Sequence, residues 1–289
     1  MFNNLRDMGD LNIINNLYLY TISAWYVKKW GGYIKFYGDE FALSMMEFAP
    51  YDEKILAFES IDEKECPCWA FPKIITLDDN EVPFTHIDGD VLIKSQRMFN
   101  EITDDSFDLI TESRMSNTED NSYFMDWHKD YFENFTDIVD EFDFNATCFN
   151  GCMTFNNEEL KNKFIQKYIE YRDNLFLSEE RYYMSNKFKE FVPDIVIEQM
   201  NLYQISKKYK TKGVVNHLIN DYDSNQETIY EIFKEKYNNE YRHYAGKEKC
   251  EISVEHFRNM LKQLDTELYQ KTREKESELR KYLLIEDEI

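Results

Sequence analysis

The stretch Thr85-His86-Ile87-Asp88-Gly89-Asp90-Val91-Leu92 decides the reading of the fold. Val82 to Ile87 has the length and apolar content of a strand, and Val91-Leu92-Ile93 continues from it. Between them stand two carboxylates, two residues apart, where the backbone leaves the strand. In open α/β sheets, ligands bind beyond the carboxyl ends of strands. One carboxylate can coordinate a hard divalent cation directly, and the second can hold it directly or through water. A cation held in this way bridges the two phosphates of a nucleotide diphosphate. Gly89 carries no side chain that would keep a diphosphate from the backbone. Asp-Gly-Asp alone is also an ordinary turn. An EF-hand calcium loop is disfavoured, because Phe99 stands where the twelfth-position glutamate belongs.

Working outward, strands alternate with helices. Leu11 to Trp30 is apolar at helical spacing and stops at Gly31-Gly32 after Lys28 and Lys29. Tyr33 to Tyr37 alternates as a strand, and Gly38-Asp39-Glu40 turns it. A helix is expected over 41–48, a short strand over 55–58 and a helix over 69–77. Phe142 to Phe155 reads as a strand, and Glu158 to Leu175 as a helix with Leu160, Phe164, Tyr168 and Tyr171 on one face. A helix over 195–209, a strand over 213–219, a helix over 224–237 and a loop over 240–249 follow. The pattern predicts an α/β domain with a mainly parallel central sheet flanked by helices. Val254, Phe257, Leu261, Leu264 and Leu268 then form a narrow apolar stripe, and 271–281 is almost wholly charged. This predicts a C-terminal amphipathic helix that packs on the body or on a partner. The expected layout is one domain over 1–250 and a helical extension over 251–289.

Composition narrows the function classes. The 289 residues carry a net charge of −22, so binding of nucleic acid through its phosphates is not expected, and anionic membrane surfaces are disfavoured. The acid is uneven: residues 101–143 hold 14 Asp and Glu against Arg114 and Lys129, which reads as a solvated surface excursion or, alternatively, as a mobile segment beside the site that contacts an acceptor. The five cysteines are odd in number in a large chain, which argues for reduced thiols rather than a disulfide framework. Cys66-Pro67-Cys68 is too tight for a zinc hairpin. The first ten residues contain acid and no apolar run, and no stretch reaches the roughly 20 apolar residues that span a bilayer. A cytoplasmic protein is expected, and the richness in Asn, Lys, Ile and Tyr fits an AT-rich bacterial coding sequence.

Two further motifs bear on the Asp pair. His243-Tyr244-Ala245-Gly246-Lys247-Glu248-Lys249 offers an imidazole for the same metal at His243. Gly246 permits close approach of a phosphate, and Lys247 or Lys249 supplies a cation for a leaving diphosphate. Trp69-Ala70-Phe71-Pro72-Lys73 precedes the strand that delivers the Asp pair, and Lys73 is a candidate to face the donor. Mn²⁺ or Mg²⁺ suits carboxylate oxygens, and so acidic a protein needs a metal to hold a dianionic diphosphate.

The order Lys73, Asp88-Gly89-Asp90, His243-x-x-Gly246-x-x-Lys249 resembles glycosyltransferase family 8, the glycogenin and lipopolysaccharide-galactosyltransferase type, and a related bacterial glycosyltransferase-like family. The segment from Asn145 through Asn150 to Gly151 falls at that family's Asn-Ala-Gly place, and Glu198-Gln199 at its acidic-Gln place. The likeness covers roughly 17–249. It implies a GT-A-like nucleotide-diphospho-sugar transferase fold. It also implies retaining transfer of a sugar from a nucleotide diphosphate, UDP above all, to a hydroxyl of a carbohydrate or other acceptor, as in bacterial surface polysaccharide synthesis. Asp88, Asp90 and His243 are then the metal ligands. Lys73, Asp88, Asn150, Gly151, Gly246 and Lys249 bind the donor, and Asn145, Glu198 and Gln199 place the sugar for catalysis. Three departures stand out: Thr147 replaces a glycine, the family's first strand is not evident within the polar residues 1–16, and Cys250-Glu251 replaces a Pro-Trp. They favour an alternative, a non-catalytic binding module with a degenerate donor site. A scaffold that forms homo-oligomers through residues 254–268 is the other rival.

Overall fold

The computed structural model describes residues 10–58, 70–116, 146–176, 195–214, 240–244 and 252–286. Asn145, Gly246, Lys247 and Lys249, and the helix expected over 224–237, lie outside the described residues. The chain divides into two compact units. The first comprises Met1–Ser60, Asp88–Phe99 and Asn239–Ile289, and the second Ile61–Ile87 and Asn100–Asn238.

The first unit is built around helix α1 (Asp10–Lys29). The sequence shows an apolar face, but residues 13–24 are all buried, with Asn15, Asn16, Thr21 and Ser23 among them. A helix covered on every side is the centre of its unit. Thr21 returns its hydroxyl to Leu17 O at 2.7 Å and Asn15 donates to Ile252 O at 3.0 Å, so these polar groups are bonded inside the core. The helix ends as its glycine pair predicts. Gly31 takes φ +89°, Gly31 N donates to Lys28 O and Gly32 N to Val27 O, which together form a Schellman stop. Strands β1 (Lys35–Gly38) and β2 (Glu53–Leu56) pair in parallel, and between them lies α2 (Glu40–Met45), capped by Asp39, whose side chain accepts from Ala42 N at 2.7 Å.

In the second unit, α3 (Phe71–Asp78) is followed by β3 (Phe84–Ile87). The chain then supplies β4 (Val91–Ile93) to the first unit and enters α4 (Gln96–Ile102). Strand β5 (Leu109–Ser116) lies inside the acidic run, and Leu109, Ile110, Glu112 and Ser113 are buried. The surface excursion expected over 101–143 is therefore corrected for this part. Its LIT start supplies the apolar and β-branched residues that favour a buried strand. Strand β6 (Ala146–Phe155), helix α5 (Glu158–Phe176), a π-helical turn (Ile195–Met200), α6 (Asn201–Ser206) and β7 (Thr211–Gly213) complete the described part of this unit. The core joins Leu109, Met153 and Phe155 of the sheet to Leu160, Phe164 and Tyr168 of α5 and to Ile197, Met200 and Leu202.

The sheet order is β3-β6-β5-β7. Pairs β3/β6 and β5/β6 are antiparallel, and β5/β7 is parallel. The expectation of a mainly parallel sheet is thus corrected. Strand β6 is an inner strand that runs antiparallel to both neighbours, and the alternation of strands with helices along the chain does not fix strand direction. The fold class is mixed α/β with C-terminal helices.

The loop expected over 240–249 contains strand β8 (Tyr241–His243), which pairs antiparallel with β4 in the first unit. The C-terminal segment forms α7 (Val254–Leu264) and α8 (Thr266–Glu286), interrupted at Asp265. Phe257, Leu261 and Leu268 of the predicted stripe are buried in one cluster with Ile14, Leu17, Tyr18 and Ile22 of α1. Among the described residues, no helix is long and apolar enough to cross a membrane.

Candidate metal centre

Asp88 and Asp90 lie in the turn between β3 and β4, closed by a hydrogen bond from Val91 N to Asp88 O at 3.0 Å. Strand β4 pairs with β8 in the register Val91↔His243, Leu92↔Arg242, Ile93↔Tyr241, and Tyr244 N donates to Asp90 O at 3.0 Å. This register carries His243 to the turn across a gap of 153 residues in sequence. One ligand atom from each of Asp88, Asp90 and His243 lies within 4.8 Å of the others, and all three side chains are half-buried. His243 Nε2 is 3.5 Å from Asp90 Oδ1. Two carboxylate oxygens and an imidazole nitrogen form a donor set that suits Mn²⁺ and other first-row divalent ions. The residues therefore fit a metal.

Gly89 has a use that the sequence did not reveal. A Cβ placed there would lie 2.1 Å from Cδ1 and Cε1 of Tyr20, so the Tyr20 ring occupies the space of a side chain. Tyr20 is a buried residue of α1. Burial, then the charges of Asp90 and Asp88, raise its pKa well above the ordinary tyrosine value. Nothing in the local sequence around Tyr20 marks it; its role follows from how α1 packs.

In the second unit, the structure joins four of the expected site residues in a buried polar cluster. Lys73 Nζ lies 2.8 Å from Glu198 Oε1, with the side chains 5% and 0% exposed. Lys73 Nζ also donates to Asn150 O at 3.3 Å. Gly151 N donates to Glu112 Oε2 at 3.0 Å. The β5/β6 ladder explains this arrangement. Thr111 pairs with Met153 and Ser113 with Phe149, so Asn150-Gly151-Cys152 bulges opposite Glu112. The bulge frees backbone groups from the ladder; Glu112 takes an N–H and Lys73 takes a carbonyl. Lys73, expected to face a donor, is thus engaged inside its own unit. In sequence Glu112 is one more acid in an acidic run, and only its apolar neighbours Leu109 and Ile110 signal burial. Gln199 is half-buried on the π-helical turn beside Glu198.

No curated protein and no solved structure matches the chain. One family model, described as "Family of unknown function (DUF6734)", matches residues 3–275. That match spans nearly all of the chain, which therefore belongs to the DUF6734 family.

Proposed function

We propose that this chain is a metal-dependent glycosyltransferase with a GT-A-like donor site, moving a sugar from a nucleotide diphosphate, UDP above all, to an acceptor hydroxyl. The observation that carries the reading is the convergence of Asp88, Asp90 and His243 within 4.8 Å at the end of a strand. In a protein of net charge −22, a dianionic diphosphate meets general repulsion, and this centre is where a divalent ion would offset it. Such an ion supplies electrostatic stabilisation of the negative charge that develops on the departing diphosphate. Asp88 and Asp90, in the turn between β3 and β4, and His243 of β8 would hold it. Gly246 and Lys249 are proposed to receive the diphosphate.

One observation favours the second reading, a donor-binding module without transfer. Lys73, expected to assist the leaving group, already faces the buried carboxylate of Glu198. The two readings share metal-dependent UDP binding and differ in turnover.

The test is thermal unfolding with Mn²⁺ and a panel of nucleoside diphosphates and sugar nucleotides, followed by assay of sugar release. UDP with Mn²⁺ at about 100 times Kd should stabilise the fold by roughly 2.7 kcal/mol. Asp88→Ala and Asp90→Ala should abolish the shift. A nucleotide-induced shift that persists in EDTA, or in both variants, sinks the metal-centre reading. Binding without release of any sugar selects the second reading.

A further inference from the structure

We propose that Trp25 and Trp30, with Lys29 between them, form a platform for a neutral saccharide, the acceptor subsite of the transferase. The inference rests on the transferase reading above and deepens it, because it names the chemistry of the acceptor and the side chains that take it.

The two tryptophans at the end of α1 are only half-buried. Each packs on one side against the core of the first unit. Trp30 is fixed further, since its Nε1 donates to Ile93 O of β4 at 2.7 Å. Both rings flank one polar group: the Lys29 ammonium lies 5.0 Å from the centroid of the Trp25 ring and 4.7 Å from that of Trp30. Lys29 is exposed, as are Lys28, Asp52 and Glu53. Lys28 follows Trp25 by three residues, so it shares that side of the helix, and it pairs with Asp52. Tyr33, 66% exposed, donates to Glu53 Oε1 at 2.5 Å.

A pyranose ring has an apolar C–H face and an edge of hydroxyls. Fixed indole faces suit the first, and charged side chains at the rim suit the second through charge-assisted hydrogen bonds. Charge narrows the ligand. A polyanion is repelled by a chain of net charge −22. An organic cation has to expel Lys29, which α1 tethers between the rings. A neutral saccharide meets neither obstacle, since the ammonium can donate to a hydroxyl while the sugar ring rests on an indole.

The platform and the metal centre share one helix. The Tyr20 ring lies against the turn at Gly89, and Trp25 and Trp30 follow five and ten residues later. At 1.5 Å per residue this is roughly 8–15 Å along the axis, the reach of a short oligosaccharide. All of these residues belong to the first unit.

The experiment is titration of the full chain in EDTA with chitotriose, cellotriose and maltotriose, read by tryptophan fluorescence and by saturation-transfer NMR of the sugar C–H protons. At least one should bind, with a Kd on the order of 1 mM. Trp25→Leu should weaken that binding about tenfold, as loss of an aromatic anchor does. Lys29→Met keeps the stem and removes the donor, and should weaken it about threefold. Lys29 is exposed, so this variant carries the test if Trp25→Leu no longer melts cooperatively. No binding of any of the three at about 10 mM overturns the inference, as does binding that neither variant weakens. Tetramethylammonium that changes the fluorescence where no saccharide does makes the platform a cation seat and overturns it as well. Saccharide binding by a chain whose melting is not shifted by UDP with Mn²⁺ overturns the transferase reading instead, and leaves this surface a saccharide site without the role of acceptor subsite.

Discussion

Lys73 illustrates what a single residue can hide. Its position in the chain suggests a cation facing a ligand, yet its ammonium lies beside Glu198 and the Asn150 carbonyl in the core of the second unit. Removing one partner of a buried pair costs about 3–5 kcal/mol, because the other charge loses its compensation. Lys73→Met should therefore lower stability by that amount in chemical denaturation. The double variant Lys73→Met with Glu198→Leu should lose less than Lys73→Met alone. Equal stability of Lys73→Met and the wild type would show that the pair does not hold the bulge. At this scale the sequence was informative about residue types and poor about partners. The grouping of Asp88, Asp90 and His243 was legible because side chains able to hold a metal come from a short list. Tyr20 and Glu112 were not, because each matters through what lies across a packing interface, and no local pattern encodes that.

Helices and strands were legible where their period was regular. Helix α1, its glycine stop and α5 fall close to where the spacing puts them. Strand β8 carries no sequence signature, because three residues give no period and its partner β4 is far away in sequence. Helix α8 is more instructive. Its middle reads as solvated charge, yet Thr272, Glu276 and Leu279 are buried at spacings of four and three. Glu276 accepts from Tyr18 Oη at 2.8 Å and pairs with Arg258, Arg273 and Arg280. A stripe can thus contain an acid when α1 and α7 bring its partners.

This cluster sets a pH dependence. Burial alone pushes the Glu276 carboxyl up, but hydrogen bonds from Arg258, Tyr18 and Arg280 outweigh it and hold the pKa down to about 2. The unfolded chain binds its proton near 4.5, so the contribution of this group is complete above that value. It disappears as the pH falls from about 4.5 to about 2, on the order of 2–3 kcal/mol in all once screening by solvent is allowed for. Glu276→Gln should destabilise the protein at pH 7 and flatten its acid limb between pH 5 and 2. Parallel acid limbs in variant and wild type would exclude Glu276 as the group responsible.

At the scale of the whole molecule, the mixed α/β class was visible in the alternation of elements, while strand direction was not. An apolar run records burial on both faces and says nothing of which way its neighbours run. Nor does spacing alone show that α7 and α8 pack around α1 within one compact unit. A chain ending at residue 250 should lose that cover. Phe257, Leu261, Leu268 and Leu279 are buried in the same cluster as α1, so their removal exposes a contiguous apolar surface. The shortened chain should appear in the insoluble fraction or bind a hydrophobic dye, and should show no cooperative melting of the first unit. A soluble, cooperatively melting product would mean that α1 is stable without them.

Burial of α1 on every side has a consequence in time as well as in space. The ribosome makes this helix well before its cover, α7 and α8. At roughly 5–20 residues per second, the interval is on the order of 10–50 s. Throughout it, Ile14, Leu17, Tyr18 and Ile22 have only part of their final surroundings. The nascent chain is thus a natural client for a holdase during synthesis, and slowing its translation should lower its soluble yield.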